Sequence, residues 1–105
     1  MADGIINIDT EFAKELGFTS DKFGFGSYLW KKDNTIIISA IWSTVKGAFR
    51  NLMQNIEQKG YGFKIPTPFP RMLEIGEKQG WKLITEYDDL FGGEIHVLVK
   101  EAKNG

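Results

Sequence analysis

The sequence predicts an α/β (α+β) fold, a mixed β-sheet flanked by helices, and three observations carry that expectation. Residues 35–81 read in order as strand, glycine-containing turn, amphipathic helix, strand and helix. Within them Ile36, Ile37, Ile38, Ala40 and Ile41 make a run that is apolar on both strand faces, which suits a central strand covered by helices on each side. Residues 81–87 and 94–100 flank a DDLFGG loop and read as an antiparallel hairpin.

The remaining elements follow from local chemistry. Residues 4–8 form a short apolar strand, after which Asp9 or Thr10 caps a helix that ends at Gly17. In that helix Phe12, Ala13 and Leu16 share a face, and Glu11 sits in the first turn, where the dipole favours an acid. Residues 18–26 mix aromatics with turn formers and take either a loop or a short helical turn from Ser20. A strand over 27–31 reaches Lys32, Asp33 and Asn34, whose tolerance of positive φ suits a tight hairpin into the strand at 35–42.

Residues 43–47 turn the chain into a helix over 47–59, with Ala48, Phe49, Leu52, Met53 and Ile56 at helical spacing. Gly60 ends it, and the crossover returns residues 61–65 as a strand parallel to the first. Pro66, Pro68 and Pro70 forbid an ordinary ladder and favour an extended exit into a helix over 69–79. That helix is expected to bury Met72, Leu73 and Ile75 and to stop at Gly80, while residues 102–105 read as a polar tail. No repeat or linker divides residues 1–105, so a single domain is expected.

Composition narrows the function classes. With 13 Lys+Arg against 14 Asp+Glu and a net charge of -1, there is no basic surplus for a nucleic-acid backbone. The absence of cysteine removes disulfides, thiolate metal sites and cysteine nucleophiles, and with His96 as the lone histidine no metal site is expected. No apolar run approaches the roughly 20 residues of a membrane helix. The N-terminal residues are neither a secretory signal nor a transit peptide, so the expected location is cytoplasmic, without a membrane partner.

The turn before the long helix points unpaired backbone N–H groups and a partial positive charge at whatever lies beyond the strand, which suits phosphate. Two segments around it, TVKGAFRNLMQNI at 44–56 and PTPFPRMLEIGEKQGWKL at 66–83, resemble the GNAT-type N-acetyltransferase superfamily. The resemblance covers residues 25–101 and implies a GNAT-like mixed, splayed sheet with a reduced N-terminal helical region. It also implies acetyl-CoA as cofactor.

In that family the turn reads Gln or Arg, two variable residues, glycine, a variable residue, then glycine or alanine, and its amides hold the cofactor's pyrophosphate. Here the matching residues are Thr44, Val45, Lys46, Gly47, Ala48 and Phe49; Gly47 fits, whereas Thr44 and Phe49 depart. The implied cofactor-binding set is Trp42, Ser43, Thr44, Val45, Lys46, Gly47, Ala48 and Arg50. The plainer reading makes Gly47 only a turn, leaves Lys46 and Arg50 solvated, and uses Ser43 and Thr44 as helix caps. The pantetheine arm would lie between residues 38–42 and 61–65, with Trp42 and Phe63 flanking it unless they are ordinary core aromatics.

Catalysis departs further from the family, whose members place a glutamate on the central strand and a tyrosine four residues before the helix-ending glycine. Residues 35–43 hold no carboxylate, and Gly76 stands at the tyrosine position. The candidate substitutes are Tyr87 and Tyr61 as acids and Glu74 as base, with Asp88, Asp89 and Glu94 as further carboxylates, provided they face the cleft; the plainer reading of each is a solvated surface residue. His96 titrates in the right range but also reads as a half-exposed strand residue.

A short N-terminal region leaves the acceptor side open, which suits a protein or small-molecule amine, or completion by a second subunit in a homodimer. Phe18, Phe23, Phe25, Tyr28 and Trp30 would favour an interface if exposed and a core lid if buried. The expected function is a compact acyl-CoA-dependent N-acetyltransferase-like protein acting by direct attack of an amine. The alternative is a noncatalytic GNAT-fold protein-binding module that has lost its active site.

Overall fold

A computed structural model describes residues 2–102. The chain forms β1 (Gly4–Asn7), α1 (Glu11–Leu16), β2 (Tyr28–Lys32), β3 (Thr35–Ala40), α2 (Ala48–Gln58), β4 (Gly62–Pro66), α3 (Pro70–Gln79), β5 (Lys82–Asp88) and β6 (Gly93–Lys100). The fold is α+β: a six-stranded mixed open sheet, ordered β1-β2-β3-β4-β6-β5, with three helices. Only β3 and β4 run parallel; every other neighbouring pair is antiparallel. The Cα radius of gyration of 13.1 Å is that of one compact unit of about 100 residues. Beyond Ala102, the expected polar tail lies outside the described residues.

Local chemistry explains the boundaries. Thr10 caps α1 by accepting the Ala13 N–H on its Oγ1 at 3.3 Å, and Gly17 closes the helix at φ 79°. Asp33 takes a positive φ of 54° in the β2–β3 turn, where its N–H is held by Asp3 Oδ1 at 2.9 Å. Phe69 precedes α3, Pro70 occupies its first turn and Gly80 ends it at φ 77°. Within 18–26 no helix forms. One turn closes from Thr19 to Phe23, and the chain then bridges Phe23 to Ser43.

The core lies on one face of the sheet. Ile6, Leu29, Ile36, Ile38, Phe63, Ile65 and Leu98 share that face and are buried against Ala13 and Leu16 of α1 and Ala48, Leu52, Met53 and Ile56 of α2. α3 packs on the same side, where Gly76 approaches Leu98.

The opposite face has no helix over it among the described residues, which corrects the expectation that β3 is covered on both sides. Ile5, Tyr28, Trp30 and Ile84 are exposed there and Ile37 is half-buried. The reason is topological. The β3–α2–β4 and β4–α3–β5 crossovers carry the chain in the same direction across the sheet, so crossovers of one hand put both helices on one face.

The aromatic cluster divides accordingly. Phe18 and Phe23 are buried, with ring centroids 5.2 Å apart, while Phe25, Tyr28 and Trp30 are exposed.

Candidate functional site

β3 and β4 separate as they run. Thr35, Ile36 and Ile37 pair with Gly62, Phe63 and Lys64, and past Ile37 the two strands share no further pairing. A register shift on the other side of β3 accompanies the parting. Leu29 pairs with Ile38 and Tyr28 with Ala40, so Ser39 is an extra residue on β3. Such a bulge bends its strand and increases local twist, here just past the point where β3 and β4 part.

The gap so opened is a cleft of about 670 Å³ at the C-terminal ends of the parallel strands, within the range of small-molecule and cofactor sites. One wall is the segment from Ile41 to Gly47 and the first turn of α2; the other is the start of α3, through Phe69, Arg71, Met72 and Ile75.

The 42–47 segment is held by the 22–27 loop rather than by a helix cap. Thr44 N–H donates to the Lys22 carbonyl at 2.8 Å, Gly24 N–H to the Trp42 carbonyl at 2.9 Å, and Trp42 N–H to Ser27 Oγ at 3.4 Å. This overturns the reading of Ser43 and Thr44 as N-caps. The N-cap is Gly47, at φ 83° and with no side-chain bond, because α2 begins only at Ala48. The first helical bond runs from Asn51 N–H to the Gly47 carbonyl at 3.0 Å, so the amides of Phe49 and Arg50 precede the ladder. A Cβ built on Gly47 would meet nothing within 4 Å, so the approach to this helix end is open.

The electrostatics are one-sided. Lys46, Arg50 and Arg71 line the cleft, whereas no Asp or Glu does. Among the described residues the ion pairs are Lys31–Asp3, Lys59–Glu15 and Lys64–Glu86, so none of the cleft cations is neutralised by a carboxylate. In a chain with net charge -1, that segregation gives the cleft a positive field the whole protein lacks.

Of the residues expected to bind cofactor, Trp42, Ser43, Thr44, Val45, Lys46, Gly47 and Arg50 line the cleft. Ala48 is instead buried under it as a core residue, since its methyl faces the sheet. Phe49 is half-buried and forms wall rather than obstruction. Phe63 is fully buried, 4.7 Å edge-to-face from Trp81, and does not reach the cleft. Arg71 and Phe69 were missed by sequence reading. Pro70 marked the helix start, and nothing in the sequence alone says that this start shares a cleft with α2.

The candidate catalytic residues Tyr87, Tyr61 and Glu74 do not converge, and none lines the cleft. Tyr61 precedes β4, at the opposite end of the strand, with its ring 5.8 Å edge-to-face from Phe12 and 5.7 Å below the Lys31 ammonium. Glu74 is exposed on α3. Tyr87, Asp88, Asp89, Glu94 and His96 gather at the β5–β6 hairpin, which projects past the cleft end of β4 because Pro66 already pairs with Val97. They share an end of the sheet with the cleft but stand outside it. Gly76 faces Leu98 and Trp81 and not the cleft.

Among the described residues no three His, Asp or Glu side chains converge as a metal site would require. No described helix is long and apolar enough to cross a membrane. No family model, curated protein or solved structure matches this chain.

Proposed function

We propose that the protein is a compact, GNAT-like acyl-CoA-dependent N-acetyltransferase that holds acetyl-CoA in the cleft between α2 and α3. The observation that carries the reading is a cleft with no acid in its lining, with Lys46, Arg50 and Arg71 around it and the first turn of α2 opening onto it. The parting of β3 from β4 supports the same reading, since an extended pantetheine arm needs strand edges whose backbone groups are free.

The residues present fit such a group. Lys46, Arg50 and the α2 amides would hold pyrophosphate, with Gly47 leaving them open, and Trp42 would flank the arm. When bound, the cofactor supplies an acyl carbon activated as a thioester and open to direct attack by an amine. No carboxylate, tyrosine or histidine lines the cleft, so the amine must lose its proton to water before attack, and positioning carries the rate.

That same lack of a base favours a second reading, a noncatalytic module of this fold. Calorimetry with acetyl-CoA, combined with mass-spectrometric detection of acetyl transfer to amines, separates the two. Saturable binding with transfer is the expected result, and binding without transfer supports the noncatalytic module. No heat of binding at millimolar cofactor overturns the cofactor reading.

A further inference from the structure

The outer edge of the sheet carries a second surface, independent of the cleft. β5 is an edge strand in which every residue from Lys82 to Asp88 pairs with β6 on one side, and among the described residues no strand lies on the other. Edge strands normally carry a device that blocks pairing with another chain: charged side chains, a proline, a bulge or very short length. β5 has seven residues, no proline and an unbroken register against β6. Its one mid-strand charge, Glu86, is already engaged by Lys64 at 2.8 Å. Leu83 is 52% exposed, Tyr87 68%, and the hairpin tip adds Phe91 at 70% and Leu90 at 100%. The opposite edge, β1, has four residues and offers much less.

The strand is also complementary to itself. Laid antiparallel against a copy about a twofold axis at Thr85, Lys82 faces the second copy's Asp88, Leu83 faces Tyr87, Ile84 faces Glu86, and Thr85 faces itself. Each relation but the one on the axis occurs twice, as an isologous contact requires. Opposite charges then stand at both ends of the ladder, and an aliphatic–aromatic pair lies inside each of them, both favourable cross-strand combinations. This register uses all seven residues of the strand. The α3 face stays free of the contact, since the new strands extend the sheet in its own plane.

We propose that β5 is the dimerisation edge of this protein and that its partner is a second copy of the same chain, paired antiparallel through Lys82–Asp88 to continue the sheet across the twofold axis. The test is the mass of the full chain in solution by sedimentation or light scattering, at concentrations up to about 1 mM, where weak association becomes visible. A species of twice 11.9 kDa is expected.

Lys82→Asp sets two acids against each other at both ends of the ladder, and Thr85→Lys places two ammonium groups on the axis. Each is expected to weaken the dimer roughly tenfold or more while leaving the circular dichroism spectrum and melting curve of the monomer intact. Asp88→Lys repels in the same way. A mixture of the Lys82→Asp and Asp88→Lys chains should dimerise again, because each end then pairs acid with base. A monomer at every concentration overturns the proposal, and so do Lys82→Asp and Thr85→Lys chains that dimerise as tightly as the parent.

Discussion

Gly24 lies directly beneath the indole of Trp42: a Cβ on Gly24 would come within 1.5 Å of Trp42 Nε1 and 2.2 Å of its Cδ1. No side chain fits there while the indole stays. A Cβ built on Gly26, which stands at φ 91°, would lie further from the same ring, 3.5 Å from Trp42 Cη2. The two glycines thus seat the aromatic wall of the cleft, and Phe25 between them is left 95% exposed.

Their substitutions should therefore separate. Gly24→Ala must push the indole out of its seat, so acetyl-CoA affinity should fall and tryptophan fluorescence should shift, with a stability loss of about 1–3 kcal/mol. Gly26→Ala strains the backbone at positive φ but meets the ring only at ordinary contact distance. It should lower the melting temperature and leave cofactor affinity near that of the parent. Equal binding losses in the two variants would show that the Trp42 seat is not what matters.

Gly76 gives the second expectation. A Cβ there would stand 2.9 Å and 3.0 Å from the Leu98 methyls and 3.2 Å from Trp81, both packed against the core. Alanine would gain about 1 kcal/mol of helix propensity, but overpacking a filled site costs about 1–3 kcal/mol. The balance is a modest loss for Gly76→Ala in thermal melts. The loss should shrink or reverse in a Leu98→Ala background, where the methyls are gone, and strict additivity in that double-mutant cycle would refute the contact.

Elements with strong local signals were legible in the sequence. Thr10 and Gly17, Pro70 and Gly80, and the Asp33 turn bounded their elements by chemistry that acts within a few residues. Relations between distant segments were not. The apolar run of β3 reads alike whether one face or both are covered, so the open face with Tyr28 and Trp30 came only with the topology. The Ser39 bulge is a disagreement between two strands and leaves no mark on either alone. Seven of the eight expected cofactor residues line the cleft because they are contiguous or one helical turn apart. The catalytic candidates had no such tether, and chemical type by itself did not bring Tyr61, Tyr87 and Glu74 together.

Asp9 supplies a pH dependence away from the cleft. Its carboxyl is held below the ordinary aspartate value of 3.8, first by the Ser20 side chain and then by the Ser20 N–H, which donates to Oδ1 at 2.8 Å. A depressed folded value means that the tie stabilises the fold above the unfolded pKa and is lost as pH falls through the folded one. The parent's melting temperature should therefore drop more steeply than that of Asp9→Asn as pH falls below about 4. Asparagine keeps tolerance of the φ of 66° but removes the titration. Parallel pH–melting curves for the two proteins would rule the tie out.

The cleft cations should differ in what they contribute. Lys46 and Arg50 flank the start of α2, where helix amides act alongside them, whereas Arg71 reaches the cleft from α3 on the opposite wall. If one phosphate-bearing ligand spans the cleft, Lys46→Ala, Arg50→Ala and Arg71→Ala should each weaken acetyl-CoA binding by about threefold to tenfold, as exposed charge-assisted contacts do. Because these groups are solvated, the attraction is screened. Raising the salt should weaken the parent more than the triple variant, whose affinity should be nearly flat with ionic strength. Calorimetry across a salt series on the parent, the three single variants and the triple variant decides it. A parent whose affinity ignores salt, or an Arg71→Ala protein that binds as tightly as the parent, would confine the ligand to the α2 wall or remove it from the cleft.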